Sequence, residues 1–151
     1  MARAACSYGY RGTTWLARQY VPNVTNADVR FFLTKDSRAA KRAFGIYKEA
    51  AGIAEGLSAA GVIPAGTMHN GAGDAVRHAV AACMMTRELG HGKTQEILQG
   101  HESGDDNPEG EKKMDSSNNA AGMRLASQEG DCTNNAAGAL RTGQLDTNAS
   151  D

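Results

Sequence analysis

Asp74-Ala75-Val76-Arg77-His78-Ala79-Val80-Ala81-Ala82-Cys83-Met84-Met85-Thr86-Arg87-Glu88-Leu89-Gly90 is the stretch that decides the fold. At helical spacing Asp74, His78, Ala81, Met85 and Leu89 fall on one stripe, and Gly90 supplies a stop. The spacing predicts a helix over 74–89, with His91-Gly92 as the turn that follows. A carboxylate and an imidazole four residues apart on an otherwise apolar face must bond each other or a ligand, because an unpaired buried charge is expensive. Two readings stay open. His78 is a ligand or general base oriented by Asp74, or it is a core histidine satisfied by an aspartate of the first turn.

The same reasoning extends to both sides. Asn26 can cap a short helix carrying Val29, Phe31, Phe32 and Leu33, and Asp36 opens a longer one over 37–60 with apolar positions at Phe44, Tyr47 and Ala51. Beyond Gly90, Thr94 caps a short helix carrying Ile97 and Leu98, residues 104–113 read as a polar loop, and Asp115 begins a helix to about Gln128. A last helix is expected over 133–141. No window alternates at period two, so the fold class is all-α, a compact single-domain bundle of about five or six helices. The expected organisation is an N-terminal extension over 1–30, a helical domain over 31–141 and a disordered tail over 142–151.

A chain of 151 residues is one domain's worth, and with 5% aromatic residues its core must rest on small side chains and close helix contacts. The net charge of −1 hides a gradient: nine basic against three acidic residues over 1–50, four against ten over 101–151. Pairing between the two ends explains that gradient better than a polyanion does, because the basic third lacks interleaved aromatics beyond Phe31 and Phe32. Nucleic acid is therefore not indicated as a partner. The uncharged run over 56–73 is broken by Pro64 and five glycines, so no transmembrane segment is expected. The opening residues show no apolar signal-peptide core, which leaves the cytoplasm or a signal-independent export route. Cys6, Cys83 and Cys132 form no CxxC pair; Cys83 reads as a small core hydrophobe, while pairing of Cys6 with Cys132 stays open.

Two further segments carry chemistry. His101-Glu102 matches half of the H-E-x-x-H metalloprotease motif, with Asp105 where the second histidine should stand. Met114-Asp115-Ser116-Ser117-Asn118-Asn119-Ala120-Ala121-Gly122 puts Asp115, Asn119 and Gly122 on one helical face, where glycine admits a close backbone. Asn-Asn-Ala-Ala-Gly recurs at 118–122 and 134–138, which reads as a duplicated helix N-terminus, with Asp115 or Ser117 capping one copy and Thr133 the other. Residues 105–116 imitate a calcium loop until position twelve, where Ser116 replaces the bidentate glutamate, so they read as solvated loop.

Together, Asn70-Gly71-Ala72-Gly73-Asp74-Ala75-Val76-Arg77-His78-Ala79, His101-Glu102 and Met114-Asp115-x-x-Asn118-Asn119-x-x-Gly122 span roughly 38–126. This ordered pattern resembles an uncharacterised bacterial domain-of-unknown-function family found at the C-termini of wall-associated and Rhs-type polymorphic toxins. The chain departs from it in Val80-Ala81-Ala82 and in placing Arg124 after Met123. The resemblance implies an antibacterial effector delivered to a target bacterial cell, with a cognate immunity protein and a secretion-system or phage-tail-like carrier as partners. The expected activity is a His/carboxylate hydrolase, metal-assisted where a divalent cation binds, acting on a cell-envelope or phosphodiester substrate. Catalytic roles fall to His78, His101, Glu102, Asp115 and Asn119, substrate binding to Arg77 and Asn118, and metal ligation to Asp74, His78 and His101. The rival expectation is a non-catalytic interaction module whose buried polar network only fixes helix packing.

Overall fold

The computed structural model describes residues 28–30, 35–103 and 108–149. Five helices follow a short helical segment at 28–30: α1 (Ser37–Ala59), α2 (Ala72–Leu89), α3 (His91–Glu102), α4 (Glu109–Leu125) and α5 (Cys132–Arg141). There is no strand among the described residues, so the all-α expectation holds. None of these helices is long and apolar enough to cross a membrane. Most of the short helix expected after Asn26, and all of the 104–107 segment, lie outside the described residues.

Asp36 opens α1 by accepting a hydrogen bond from Ala39 N at 2.9 Å. Its buried stripe is Ala39, Ala43, Ile46, Ala50 and Ala54, at spacings that keep one face on the core. Phe44 and Tyr47 flank that stripe half-buried. Helix α2 runs through the middle of the bundle and touches all four other helices. Every residue from Gly73 to Cys83 except Arg77 is buried. Alanines at 75, 79, 81 and 82 make that position tenable, because α1 and α4 can approach from opposite sides. The closest approach is at Gly122, where a Cβ would lie 2.2 Å from Ala79 O. Only glycine fits there.

Four boundaries differ from the sequence reading. Helix α2 starts at Ala72, two residues ahead of Asp74. Gly90, at φ 81°, turns the chain directly into α3, so His91-Gly92 is helix and not a turn. Thr94 is consequently an interior residue, its hydroxyl bonded to Gly90 O at 2.9 Å, and it caps nothing. Helix α4 begins at Glu109, after Pro108, so the second half of the expected polar loop is helical. Glu109 and Glu111 favour that start through the helix dipole, a charge signal that low hydrophobicity conceals. Asp115 and Ser117 therefore lie inside α4, and the cap of α5 is Asp131, which accepts from Asn134 N at 2.8 Å, rather than Thr133.

The cysteines correct another expectation. Cys83 is not a free core thiol; it forms a disulfide with Cys132, with Cα atoms 5.8 Å apart, and ties α2 to the start of α5. The partners are 49 residues apart, so no local pattern announces the pair. Cys6 lies outside the described residues. Nearby, Arg87 donates to the carbonyls of Ala126, Gln128 and Gly130 at 2.8–3.1 Å, fastening the end of α4 and the following turn to α2. The start of the expected disordered tail is also anchored. Leu145 is buried, and Asn118 brackets the Asp146 backbone with two 2.8 Å hydrogen bonds.

Candidate functional site

Where the first half of α2 crosses the middle of α4, beside the end of α3, seven of the eight residues singled out from the sequence meet. Asp74, Arg77 and His78 come from α2, His101 and Glu102 from α3, and Asp115 and Asn119 from α4. The i,i+4 pairs Asp74/His78 and Asp115/Asn119 each present successive turns of one face to the crossing, and Gly122 sets how close they come. All but Arg77 are at most 8% exposed.

His78 is the hub. Its Nδ1–H donates to Asn119 Oδ1 at 3.1 Å, and its Nε2 accepts from Arg77 Nη2 at 3.2 Å, which defines a neutral imidazole with its lone pair on Nε2. That lone pair faces two carboxylates, Asp74 Oδ1 at 3.5 Å and Asp115 Oδ1 at 3.3 Å. Burial, and then the positive charges of Arg77 and His101, pull the His78 pKa down to about 3 against the Asn119 hydrogen bond. Asp74 is held on both sides, by the Asn70 backbone N–H on Oδ2 at 2.7 Å and by the Arg77 guanidinium on Oδ1. Asn70 adopts φ 54°, which asparagine tolerates, and its side chain donates to Glu111 Oε1 at 2.6 Å. His69 sits 3.6 Å from the same Glu111 oxygen.

Asn119 also donates from Nδ2 to Glu102 Oε1 at 2.9 Å, so one amide bridges the histidine of α2 and the glutamate of α3. Glu102 Oε2 and Asp115 Oδ1 are buried with no hydrogen-bond partner among the described residues. Burial raises the Glu102 carboxyl above its ordinary range, with Asp28 adding to it and His101 and Asn119 opposing. Burial, then the charges of Glu102 and Asp74, raises Asp115 to about 7. The site thus pairs a neutral imidazole with carboxyl groups pushed towards neutrality, the inventory that acid–base work requires.

Two expected residues do not take the roles assigned to them. Asn118 faces away from the crossing; both ends of its amide are spent on the Asp146 backbone, so it holds the C-terminal chain where substrate binding was expected. His101 does not join the group with metal-ligand geometry. Its Nδ1 bonds Asp28 Oδ2 at 2.7 Å, and although burial opposes it, the Asp28 hydrogen bond and charge raise its pKa. The trio whose ligand atoms all lie within 4.8 Å of one another is Asp74, His78 and Asp115.

Asp28 and Tyr47 were missed by the sequence reading. Tyr47 packs its ring on His101 at a centroid distance of 5.1 Å, and its buried hydroxyl has no hydrogen-bond partner among the described residues. Burial, then the charges of Asp28 and Glu102, raises its phenol well above the ordinary value. Neither residue lies in a motif. Only the position of Tyr47 on the apolar side of α1 hinted at burial. A groove of about 790 Å³ opens between α2, α3 and α4, lined by Gln95, Leu98, Gln99 and Met123 among others, and reaches the polar cluster at Glu102 and Asn119.

A family model described as a domain of unknown function (DUF6973) matches residues 30–147, and the chain belongs to that family. The matched region takes in all five helices and the Asp146 segment that Asn118 anchors. No solved structure matches the chain.

Proposed function

We propose that this chain is an antibacterial effector domain with a hydrolytic site built on Glu102, His78, Asp115 and Asn119. The observation that carries the reading is the placement of Glu102. One carboxylate oxygen is fixed by Asn119, the other has no partner among the described residues, and the residue lies where the groove meets the polar cluster. A carboxyl held this way and raised by burial is suited to take a proton from water attacking a substrate in the groove. His78, kept neutral and oriented through Nδ1, offers a second proton-accepting atom, and Arg77 offers positive charge to a developing oxyanion. The substrate class is a cell-envelope bond or a phosphodiester.

The Cys83–Cys132 disulfide supports action in an oxidising compartment, such as the envelope of a target cell, since such bonds are rare in the reducing cytosol. Delivery by a carrier and neutralisation by a cognate immunity protein belong to the same proposal. One observation favours a second reading, a structural network in an interaction module: the cluster is buried almost throughout. Against it stand Glu102 Oε2 and Asp115 Oδ1, since a network kept only for packing should satisfy its buried acceptors.

Expression of wild type, Glu102→Gln and His78→Ala in the bacterial cytoplasm and, separately, in the periplasm tests the proposal. Killing by wild type and its loss in both folded variants is expected, because acid–base groups contribute about 10²–10⁴-fold in rate. Periplasmic killing favours an envelope bond, and cytoplasmic killing a phosphodiester. A folded Glu102→Gln protein that kills as well as wild type overturns the reading.

A further inference from the structure

We infer that Asp74, His78 and Asp115 form a binding site for one divalent transition-metal ion, with Arg77 as the positive group that competes for it. The site is the one assigned above to hydrolysis, so the inference deepens that reading, although binding can be measured without any activity.

The geometry carries it. His78 Nε2 lies 3.5 Å from Asp74 Oδ1 and 3.3 Å from Asp115 Oδ1. Ligand atoms held about 2.1 Å from one ion at tetrahedral angles lie about 3.4 Å apart. The tautomer is the one a metal requires: Nδ1 carries the hydrogen and gives it to Asn119 Oδ1, so the Nε2 lone pair points at the carboxylates. Such an outer hydrogen bond orients the ring and strengthens it as a ligand. Asp74 is oriented in the same way, through the Asn70 N–H on Oδ2, with Oδ1 turned towards the imidazole.

Two features then favour a cation. Asp115 Oδ1 is buried with no hydrogen-bond partner among the described residues, although it faces the Nε2 lone pair at 3.3 Å. Two electron-rich atoms at that distance repel unless something positive lies between them or beside them, a place that Arg77 Nη2 takes at Nε2 and that a bound ion would take for both. The cluster also gathers three carboxyls, at Asp74, Glu102 and Asp115, around a neutral imidazole and a single guanidinium.

Arg77 gives the site its particular character. Its Nη2 contacts Asp74 Oδ1 and His78 Nε2, two of the three ligand atoms, so an incoming ion has to displace it. Arg77 has room to leave, for its side chain is 20% exposed against 3–4% for Asp74 and His78. One imidazole with two carboxylates suits zinc or manganese.

The test uses the full, oxidised chain, freed of metal with a chelator and dialysed against zinc or manganese chloride, with bound ion counted by atomic emission. One ion per chain is expected, with zinc held more tightly than manganese. The near-isosteric Asp115→Asn and His78→Asn should each lower affinity at least about 100-fold, and Asn119→Ala, which removes the outer hydrogen bond to His78 along with the one to Glu102, about 10–100-fold. Arg77→Gln should tighten binding, which no merely structural role for Arg77 predicts. Zinc should raise the melting temperature of wild type and leave that of Asp115→Asn unmoved, a readout that stands even if the histidine variant fails to fold. A folded wild type that takes up neither ion overturns the inference, as does uptake that survives Asp115→Asn. The two readings fail separately. Uptake together with a lethal Glu102→Gln protein removes the hydrolytic proposal alone; no uptake with a harmless Glu102→Gln protein removes the metal site alone.

Discussion

Asn118-Asn119-Ala120-Ala121-Gly122 and Asn134-Asn135-Ala136-Ala137-Gly138 are the same five residues in two settings, and the settings decide what they do. The first copy is in the buried middle of α4, the second at the partly exposed start of α5. In each copy one asparagine donates from Nδ2 to a carboxylate: Asn119 to Glu102 at 2.9 Å and Asn134 to Asp131 at 2.6 Å. The two carboxylates shift in opposite directions. Burial dominates for Glu102 and raises it; backbone hydrogen bonding at the cap dominates for Asp131, in full contact with water, and lowers it. One bond type is thus part of a candidate reactive site in one place and a helix cap in the other. Motif identity names the atoms, and burial sets their chemistry.

The glycines offer the sharpest way to break this comparison. A methyl at Gly122 would lie 2.2 Å from Ala79 O and 2.8 Å from Ala82 Cβ, whereas at Gly138 its nearest neighbour is the end of the Arg141 side chain at 3.8 Å. Gly122→Ala should cost about 3 kcal/mol or more, since two helix backbones must part. Gly138→Ala should gain up to about 1 kcal/mol from helix propensity. Thermal melts read both changes, at about 2–4 °C per kcal/mol for a chain of this size. Equal melting temperatures would mean that α2 and α4 do not meet at Gly122.

The second asparagines come next. Asn119→Ala strands the His78 Nδ1–H and Glu102 Oε1 together, at about 1–3 kcal/mol for each buried group left unpaired. Asn135→Ala loses one exposed hydrogen bond to Glu129 O and should stay within about 0.5 kcal/mol of wild type. The first asparagines should differ less. Asn118→Ala frees the Asp146 backbone, and should cost about 1–3 kcal/mol, with fast hydrogen exchange at the Asp146 amide as its particular signature. Asn134→Ala should leave that amide protected.

Why the sequence separated some of these roles and merged others follows from what periodicity can see. Helices α1 and α2 were legible, because a capping Asp36 and a clean Gly90 stop frame apolar stripes. The start of α4 was not, because residues 109–113 are polar on every face and only their charge favours a helix. The shared faces of Asp74 with His78 and of Asp115 with Asn119 were legible from spacing, whereas their meeting beside Glu102 was an expectation drawn from the order of the three motifs. The division of labour within Asn118-Asn119 was not. Adjacent helix positions differ by about 100°, and choosing which one faces α2 requires knowing where α2 lies. Asp28, Tyr47 and the Cys83–Cys132 bond depend on packing between distant segments, which no local pattern records.

The smallest effect tests the opposite shifts themselves, through Glu102→Gln and Asp131→Asn melted across about pH 3 to about pH 8. A raised carboxyl pKa means that the folded state holds its proton more tightly than the unfolded state. The contribution of Glu102 to stability is therefore present below its ordinary value of 4.5 and lost as pH rises through the raised one. Glu102→Gln keeps the oxygen that Asn119 bonds, so it should melt with wild type in acid and above it at neutral pH, the gap widening upward. Asp131 carries the reverse sign. Its lowered pKa gives stability above the ordinary 3.8 that disappears as pH falls through the folded value. Asp131→Asn retains a capping side chain, so it should melt slightly below wild type at neutral pH and converge with it in acid. Parallel pH curves for both variants would mean that Glu102 is as well solvated as Asp131, and the buried site on α4 would lose its distinction from the exposed cap on α5.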